Sequence, residues 1–276
     1  MLDVSLPEFQ AAAQLRQETK LAEAREALIA FIQKYPTGPH LEEAKERNAG
    51  VIDIGDLACA MQGRFDPRAD KSQLRPELQS GDYFDALTRY NAAFYEPYAE
   101  HFVMLSRGNH EELVLQKNQT DLSERLAERL RAKGSQVVTG TYQGWVRFMF
   151  TVHANGRHTV RMRYTHGYGG GGPVTRDVIQ SARQMVYIGN ADILLSGHTH
   201  DAWSLPIRRE ILLDSGRPVL RDVEVVKTGG YKCEYAPGSG WAVGKGHPPK
   251  PLGAYWLRFY LPPNAKTVSY EVQRAK

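Results

Sequence analysis

The chain has 276 residues, of which 42% are hydrophobic and 24% charged, and its formal net charge is +4. This is the mixture of an ordinary globular protein, long enough for one large domain or two small ones. The mild, dispersed positive charge permits an anionic substrate without requiring nucleic acid, and no apolar run is long enough to cross a bilayer, so we expect no membrane span.

Two further features bear on the cellular compartment. The only cysteines are Cys59 and Cys233, too few for a disulfide framework or an all-cysteine zinc site. The N-terminus lacks the basic flank and apolar core of a secretory signal. Together these features predict a cytoplasmic protein.

The first predicted elements are helical. Apolar residues recur at spacings of three, four and seven over residues 8–34, which predicts an amphipathic helix, and "HLEEAKER" predicts a second, short one. We expect residues 1–48 to form an N-terminal helical segment. Residues 49–276 are expected to form the main domain, continuous with that segment.

The next elements are strands that end in polar residues. "AGVIDIGDLA" predicts a buried strand ending at Gly55-Asp56. Residues 82–101 are helix-like and lead into "FVMLSRGNHEE", a second apolar run that stops at Asn109 and His110. Residues 120–133 carry helix start signals, with Thr120 or Asp121 as the N-cap.

The next part of the chain contains a predicted hairpin and two more strands that end in histidines. Two strand-like runs flank a turn at Asn155-Gly156, and the second of them ends at His166, before the loop "GYGGGG". Residues 174–187 are predicted to be helical. The strand "ADILLSGHTH" then ends in His198 and His200.

The last third of the chain predicts β structure, with a hairpin about Ser215-Gly216 and terminal strands near residues 255–261 and 268–272. Helices alternate with strands early, and hairpins dominate late. This order predicts a layered α/β fold.

Four apolar runs therefore end in side chains that can bind metals: Asp56, Asn109 with His110, His166, and His198 with His200. In layered α/β folds the carboxyl ends of strands line the ligand crevice, so these side chains are expected to converge. Imidazole, carboxylate and amide ligands favour Mn, Fe, Zn or Ni over Ca or Mg. Each residue alone is equally typical of a turn, a cap or a loop, but four such coincidences in order favour a metal site.

The motifs "GD", "GNHE", "THG" and "GHTH", in this order over residues 51–200, resemble the calcineurin-like metallophosphoesterase superfamily. Late segments such as "YKCEYAPGSGW" resemble phage and prophage members. The resemblance implies an α/β/β/α sandwich with mixed sheets. It also implies a metal-dependent hydrolase of phosphomonoesters or phosphodiesters, with two divalent transition metal ions and a metal-bound hydroxide as the nucleophile.

The resemblance assigns the metal ligands as Asp56, which bridges, then Asn109, His166 and His198 at one ion, and His200 at the other. His110 would stabilise or protonate the leaving oxygen. Glu111 would hold His110 in place. Manganese is the cofactor that we would supply first.

One family motif is absent. The first strand of the family ends in Asp-x-His, and no Asp of this chain is followed two residues later by His. We therefore expect the first strand to be missing, through a truncated or rebuilt N-terminus. The alternatives are substitute ligands such as Asp3 or His40, or a loss of catalysis that would leave a phosphoesterase-fold binding or scaffolding protein.

Substrate contacts are less specified by the sequence. Arg107 and Arg176 are candidates for contact with a substrate phosphate, although arginines in such positions are more often solvated surface residues. The glycine-rich loop at residues 167–172 lacks the lysine of a P-loop and suits flexible ligand positioning. The expected partner is a phosphate ester, and nucleic acid is the alternative substrate class.

Overall fold

The computed structural model describes residues 2–3, 29–33, 38–67, 69, 74–152, 156–232, 235 and 241–275. The chain divides into two compact units. Unit 1 comprises Met1–Leu28 and Gly144–Lys276, and unit 2 comprises Ile29–Gln143. The division into residues 1–48 and 49–276 stays a prediction.

Unit 2 is built on four parallel strands. In sheet order they are β2 (Ile29–Gln33), β3 (Gly50–Asp53), β4 (Phe102–Leu105) and β5 (Val138–Thr139). The helices of this unit are α1 (Gly38–Glu46), α2 (Tyr83–Tyr95), α3 (Asn109–Asn118) and α4 (Leu122–Arg131), with 3-10 turns at Pro76–Leu78 and Glu96–His101. β4 is buried along its whole length, as expected of an apolar strand in a parallel sheet covered by helices.

The predicted helix over residues 8–34 is wrong at its C-terminal end. Ile29–Gln33 is a strand that pairs in parallel with β3, while residues 8–28 and 34 lie outside the described part of the chain. The run "IAFIQ" is β-branched and aromatic, and pairing with β3 overrides the helical spacing that precedes it.

β2 precedes β3 in the chain, lies beside it in the sheet and ends at Gln33. The expectation that the first strand of the family pattern is missing stays a prediction. Of the two residues considered as substitute ligands, Asp3 belongs to the strand Leu2–Asp3 and His40 belongs to α1.

Other predicted elements of unit 2 are confirmed. The short second helix is α1, and the aromatic-rich segment forms α2 followed by a 3-10 turn. The N-cap of α4 is Asp121, whose side chain accepts a hydrogen bond from the Glu124 backbone amide at 3.0 Å. This bond satisfies one of the amides that the first turn of a helix leaves unpaired.

Unit 1 is built on a six-stranded mixed sheet in the order β1-β6-β7-β8-β10-β9. Its strands are β1 (Leu2–Asp3), β6 (Gln143–Val152), β7 (Gly156–Thr165), β8 (Ile193–Ser196), β9 (Trp203–Leu212) and β10 (Pro218–Lys227). β8 pairs in parallel with both β7 and β10, whereas β9 and β10 form the predicted antiparallel hairpin. The remaining elements are the helices α5 (Val178–Tyr187) and α6 (Trp241–Gly244) and the antiparallel pair β11 (Ala254–Tyr260) and β12 (Ser269–Ala275).

The two faces of this sheet have different neighbours. On one face, Phe148 and Phe150 of β6 lie 4.7 and 5.2 Å from the Phe259 ring of β11. On the other, Trp145 packs with Met185 of α5 around a buried aliphatic cluster. Side chains alternate between faces along a strand, so α5 and β11 cover opposite faces. The predicted layered α/β class with mixed sheets is confirmed.

None of the described helices is long and apolar enough to span a membrane.

Candidate metal centre

In unit 2, the loops that follow β3 and β4 pack against each other so closely that glycine is required in both. Gly55 has φ +106°, and a Cβ added there would lie 2.3 Å from the Gly108 backbone nitrogen. A Cβ on Gly108 would lie 2.1 Å from Asp56 Oδ1. Non-bonded heavy atoms do not approach this closely. The "GD" and "GNHE" motifs therefore need their glycines to bring Asp56 beside the loop that follows β4.

One carboxylate holds both loops. Glu111 Oε2 accepts hydrogen bonds from the backbone amides of Asp56 at 2.9 Å and Gly108 at 2.8 Å, and Oε1 accepts one from Ala58 at 3.3 Å. Burial raises the pKa of Glu111 to about 7, and the charge of Asp56 adds to the shift. The predicted effect of Glu111 on His110 stays a prediction, since these bonds fix the loop backbone.

Asp56 is almost fully buried and is fixed by its own hydrogen bonds. Its Oδ1 accepts a hydrogen bond from the His110 backbone amide at 3.0 Å, and the His110 Nε2 lies 4.0 Å from Oδ2. Asn109 is the first residue of α3 and lies between Gly108 and His110, which both lie against Asp56. Unit 2 therefore brings together the predicted residues Asp56, Asn109 and His110.

The sequence analysis missed a further buried acid, Asp53. It is the last residue of β3, and its Oδ2 accepts a hydrogen bond from the Gly55 amide at 3.0 Å. Burial raises the pKa of Asp53 well above its usual range, and the charges of Glu111 and Asp56 add to the shift. Asp53 could have been identified as an acidic residue at the end of an apolar strand. The prediction instead placed the end of that strand at Gly55-Asp56.

In unit 1, two predicted histidines meet at the ends of neighbouring parallel strands. His166 follows β7 and His198 follows β8, and these strands are in register at Thr165 and Ser196. The Gly197 amide donates a hydrogen bond to the His166 carbonyl at 3.0 Å. His166 Nε2 lies 3.3 Å from His198 Nδ1, and the two rings are inclined at 71°.

This separation fits chelation of a metal ion. Two nitrogen ligands about 2.0–2.1 Å from one tetrahedral ion are about 3.3 Å apart. The same separation also suits an N–H···N hydrogen bond, because a neutral imidazole has one donor and one acceptor nitrogen. The separation of the two nitrogens is therefore compatible both with a bound transition ion and with a direct hydrogen bond.

The loop that carries His198 and His200 has a strained backbone. Both histidines have positive φ angles, +69° and +59°, which is uncommon for residues with side chains. Gly167, after His166, has φ +102°, and a Cβ there would lie 2.9 Å from the Gly197 carbonyl oxygen. Residues held in such conformations cluster at functional sites.

Two lysine–aspartate pairs lie beside these loops and were not foreseen from the sequence. Lys227 at the end of β10 is fully buried and pairs with Asp177, just before α5. Lys250 pairs with Asp201, the residue after His200, at 2.7 Å. Because each pair joins residues about 50 positions apart in the chain, no local pattern predicts it.

The predicted site residues thus fall into two sets, one in each unit. Unit 2 holds Asp56, Asn109, His110 and Glu111, and unit 1 holds His166, His198 and His200.

Comparison with known proteins returned no matching family model and no matching curated protein. Solved structures do match at low similarity: vacuolar protein sorting 29 from Cryptosporidium parvum (9% identity, TM-score 0.34, covering 91% of this chain and 99% of that chain), a metallophosphoesterase from Sphaerobacter thermophilus (12%, 0.34, 90% and 89%) and the calcineurin-like phosphoesterase YfkN from Bacillus subtilis (12%, 0.33, 91% and 91%). These scores are too low to assign the chain to a family.

Proposed function

We propose that this chain is a metal-dependent hydrolase of phosphate esters, acting on phosphomonoesters or phosphodiesters. The observation that carries the proposal is the histidine pair, His166 with His198, whose nitrogens lie 3.3 Å apart at the ends of adjacent parallel strands. Imidazole pairs of this kind bind transition ions. A buried carboxylate on a glycine-locked loop, Asp56, adds the anionic ligand that such an ion prefers.

The ligand assignment follows the sequence motifs. One ion would be bound by Asn109, His166 and His198, a second by His200, and Asp56 would bridge them. Three buried acids of unit 2, Asp53, Asp56 and Glu111, also support a cation there. Burial raises the pKa values of Asp53 and Glu111, and repulsion from the neighbouring carboxylates adds to both shifts.

The proposed chemistry divides between ion and protein. A bound divalent ion activates water and neutralises charge on phosphoryl oxygens. The protein's own contribution is proton transfer by His110, whose backbone amide is fixed by Asp56 and whose Nε2 lies 4.0 Å from the Asp56 carboxylate. In this proposal the His110 imidazole donates a proton to the leaving oxygen.

The direct test is hydrolysis of 4-nitrophenyl phosphate and bis(4-nitrophenyl) phosphate by the purified chain with Mn²⁺. Asp56→Asn and His198→Ala should abolish turnover, and His110→Ala should lower kcat by about 10²–10⁴-fold. His247→Ala, an exposed histidine outside the proposed ligand set, is the matched control and should retain activity. Absence of turnover with every divalent metal would overturn the proposal.

A second candidate function is a binding or scaffolding protein that has lost catalysis. It is favoured by one observation: β2 lies beside β3, and ends in Gln33 where a catalytic member would carry the first aspartate. A scaffold of this kind would show no gain in melting temperature on addition of Mn²⁺, whereas a metal-binding enzyme is stabilised by its ion.

Several finer features remain predictions. Manganese is the proposed cofactor for the first assay, and a nucleic-acid substrate would be indicated by strongly salt-dependent binding to DNA. A relationship to phage proteins and a cytoplasmic location are expectations from the sequence alone.

A further inference from the structure

The structure separates the two arginines that the sequence offered as phosphate ligands. The Arg107 guanidinium is already engaged by two acids: its Nε lies 3.0 Å from Glu112 Oε1, and its Nη1 lies 3.0 Å from Asp121 Oδ2. Its side chain is largely buried between them. Arg107 therefore serves to join α3 to the N-cap of α4.

Arg176 differs from Arg107 in both its exposure and its contacts. It is exposed, and its guanidinium forms no hydrogen bond or ion pair with any residue that the structure describes. Among candidates near the predicted motifs, it is the arginine whose donors can bind an anion without first breaking a contact.

The backbone that presents Arg176 is strained and firmly anchored. Arg176 has φ +46° and Asp177 φ +66°, two consecutive left-handed residues of which neither is glycine. Such a conformation is unfavourable for residues with side chains and persists only where the surroundings impose it. Here Lys227 holds the Asp177 carboxylate, and the Trp203 indole N–H donates to the Arg176 carbonyl at 2.8 Å.

This anchored turn lies beside the loop of His200. A Cβ added to Gly171 would lie 3.1 Å from both the Asp177 backbone nitrogen and Asp201 Oδ2, so the turn and the residue after His200 meet at one point. The Arg176 amide also donates to the Gly172 carbonyl at 2.8 Å. Arg176 is thus tied to the glycine-rich loop after His166 and to the loop that carries His200.

We propose that Arg176 binds the phosphoryl group of the substrate and makes the chain selective for phosphomonoesters over phosphodiesters. This inference rests on the proposed function. A guanidinium binds two phosphoryl oxygens at once through charge-assisted hydrogen bonds. A monoester carries a second negative charge that a diester lacks, so it gains more from this contact.

The test compares kcat/KM for 4-nitrophenyl phosphate and bis(4-nitrophenyl) phosphate in the presence of Mn²⁺. Arg176→Ala should lower the monoester value about 10- to 100-fold, the effect of losing hydrogen bonds to a charged group, and change the diester value less than about threefold. Arg176→Lys should restore part of the monoester activity. Arg183→Ala, which removes an exposed arginine of α5, should change neither value.

Asp177→Asn tests the anchoring of the turn. If Asp177 positions Arg176, this variant should lower the ratio of monoester to diester kcat/KM, as Arg176→Ala does. A general loss of folded protein would lower both values equally and leave the ratio unchanged.

Calorimetric binding of inorganic phosphate provides a readout that does not depend on turnover. Arg176→Ala should weaken the phosphate affinity about tenfold or more.

The outcomes distinguish the inference from the function on which it rests. If the wild type hydrolyses an ester and Arg176→Ala leaves both the ratio and phosphate affinity unchanged, the inference fails and the proposed function stands. An equal loss on both substrates also overturns it. If the wild type hydrolyses neither ester with any divalent metal, both fail.

Discussion

The two halves of the proposed site are held in place by different physical means. In unit 2, backbone amides converge on the Glu111 carboxylate, and the loops touch where glycine leaves no room for a side chain. In unit 1, the histidine loops are flanked by contacts between charged side chains, such as Lys227 with Asp177. The unit 2 half therefore has the tightest glycine packing, while the unit 1 half also depends on a fully buried lysine–aspartate pair.

The largest expected effect comes from adding one carbon atom in unit 2. Gly55→Ala places a Cβ within 2.6 Å of three backbone atoms and imposes a positive φ on alanine. We expect a loss of about 4 kcal/mol or more in the free energy of unfolding, measured by urea denaturation. Gly134→Ala is the matched control, because Gly134 also has a positive φ, +95°, but nothing lies near its Cβ position. A similar loss in both variants would show that the backbone angle, rather than the close approach, dominates.

The next effect removes a charge in unit 1. Asp177→Asn removes the carboxylate charge that contacts the fully buried Lys227 ammonium, and we expect a loss of about 3 kcal/mol in the free energy of unfolding. The double variant Asp177→Asn, Lys227→Met should recover much of this loss, since neither charge remains. If the double variant is no more stable than the single one, packing rather than charge is the main role of Lys227.

A third prediction concerns the excess of negative charge in unit 2. Unfolded, Asp53 ionises near its ordinary pKa of 3.8, whereas burial and the neighbouring carboxylates raise its pKa in the folded protein. The folded state then holds more protons above pH 3.8, so the free energy of unfolding falls as the pH rises from there through the folded pKa.

Asp53→Asn keeps an acceptor for the Gly55 amide but removes this titration. Its free energy of unfolding should exceed that of the wild type at pH 8 and depend less steeply on pH between pH 4 and 8. Asp214→Asn, in the exposed turn of the β9–β10 hairpin, is the control. If Asp53→Asn is less stable than the wild type and its free energy of unfolding depends on pH as steeply, the Asp53 carboxyl is not the group that titrates.

The smallest effect is expected at an exposed ion pair on the β9–β10 hairpin of unit 1. Arg208 and Asp222 form two hydrogen bonds of 2.7 Å across the β9–β10 pair, and both side chains are exposed. Water and salt screen such a pair, so Arg208→Ala should lower the melting temperature much less than Asp177→Asn. Equal shifts would remove the distinction between buried and exposed ion pairs.

Much of the fold was predictable because local patterns specify it. The apolar runs before Asp56, Asn109, His166 and His198 are strands, and the α4 cap is one of the two residues that the sequence offered. β2 was not predictable, because a helical spacing upstream extended into it and only its pairing with β3 makes it a strand.

Candidate ligands could be proposed from the sequence, whereas the contacts that hold their loops could not. His166 and His198 are recognisable as candidate ligands because each is a histidine that follows an apolar strand. Glu111 accepts hydrogen bonds from three backbone amides only because two loops approach each other closely. The same holds for Lys227 with Asp177, whose pairing over 50 positions exists only in the folded chain. Long-range contacts of this kind leave no periodic or local signal in a sequence.

The central claim is that the histidine pair binds a transition ion, and calorimetric titration with Mn²⁺ tests it most directly. We predict saturable binding of at least one ion per chain to the wild type and to His247→Ala, and loss of that binding in His198→Ala. Equal binding by His198→Ala and the wild type, or no binding of Mn²⁺, Zn²⁺, Fe²⁺ or Ni²⁺ by the wild type, would contradict the account.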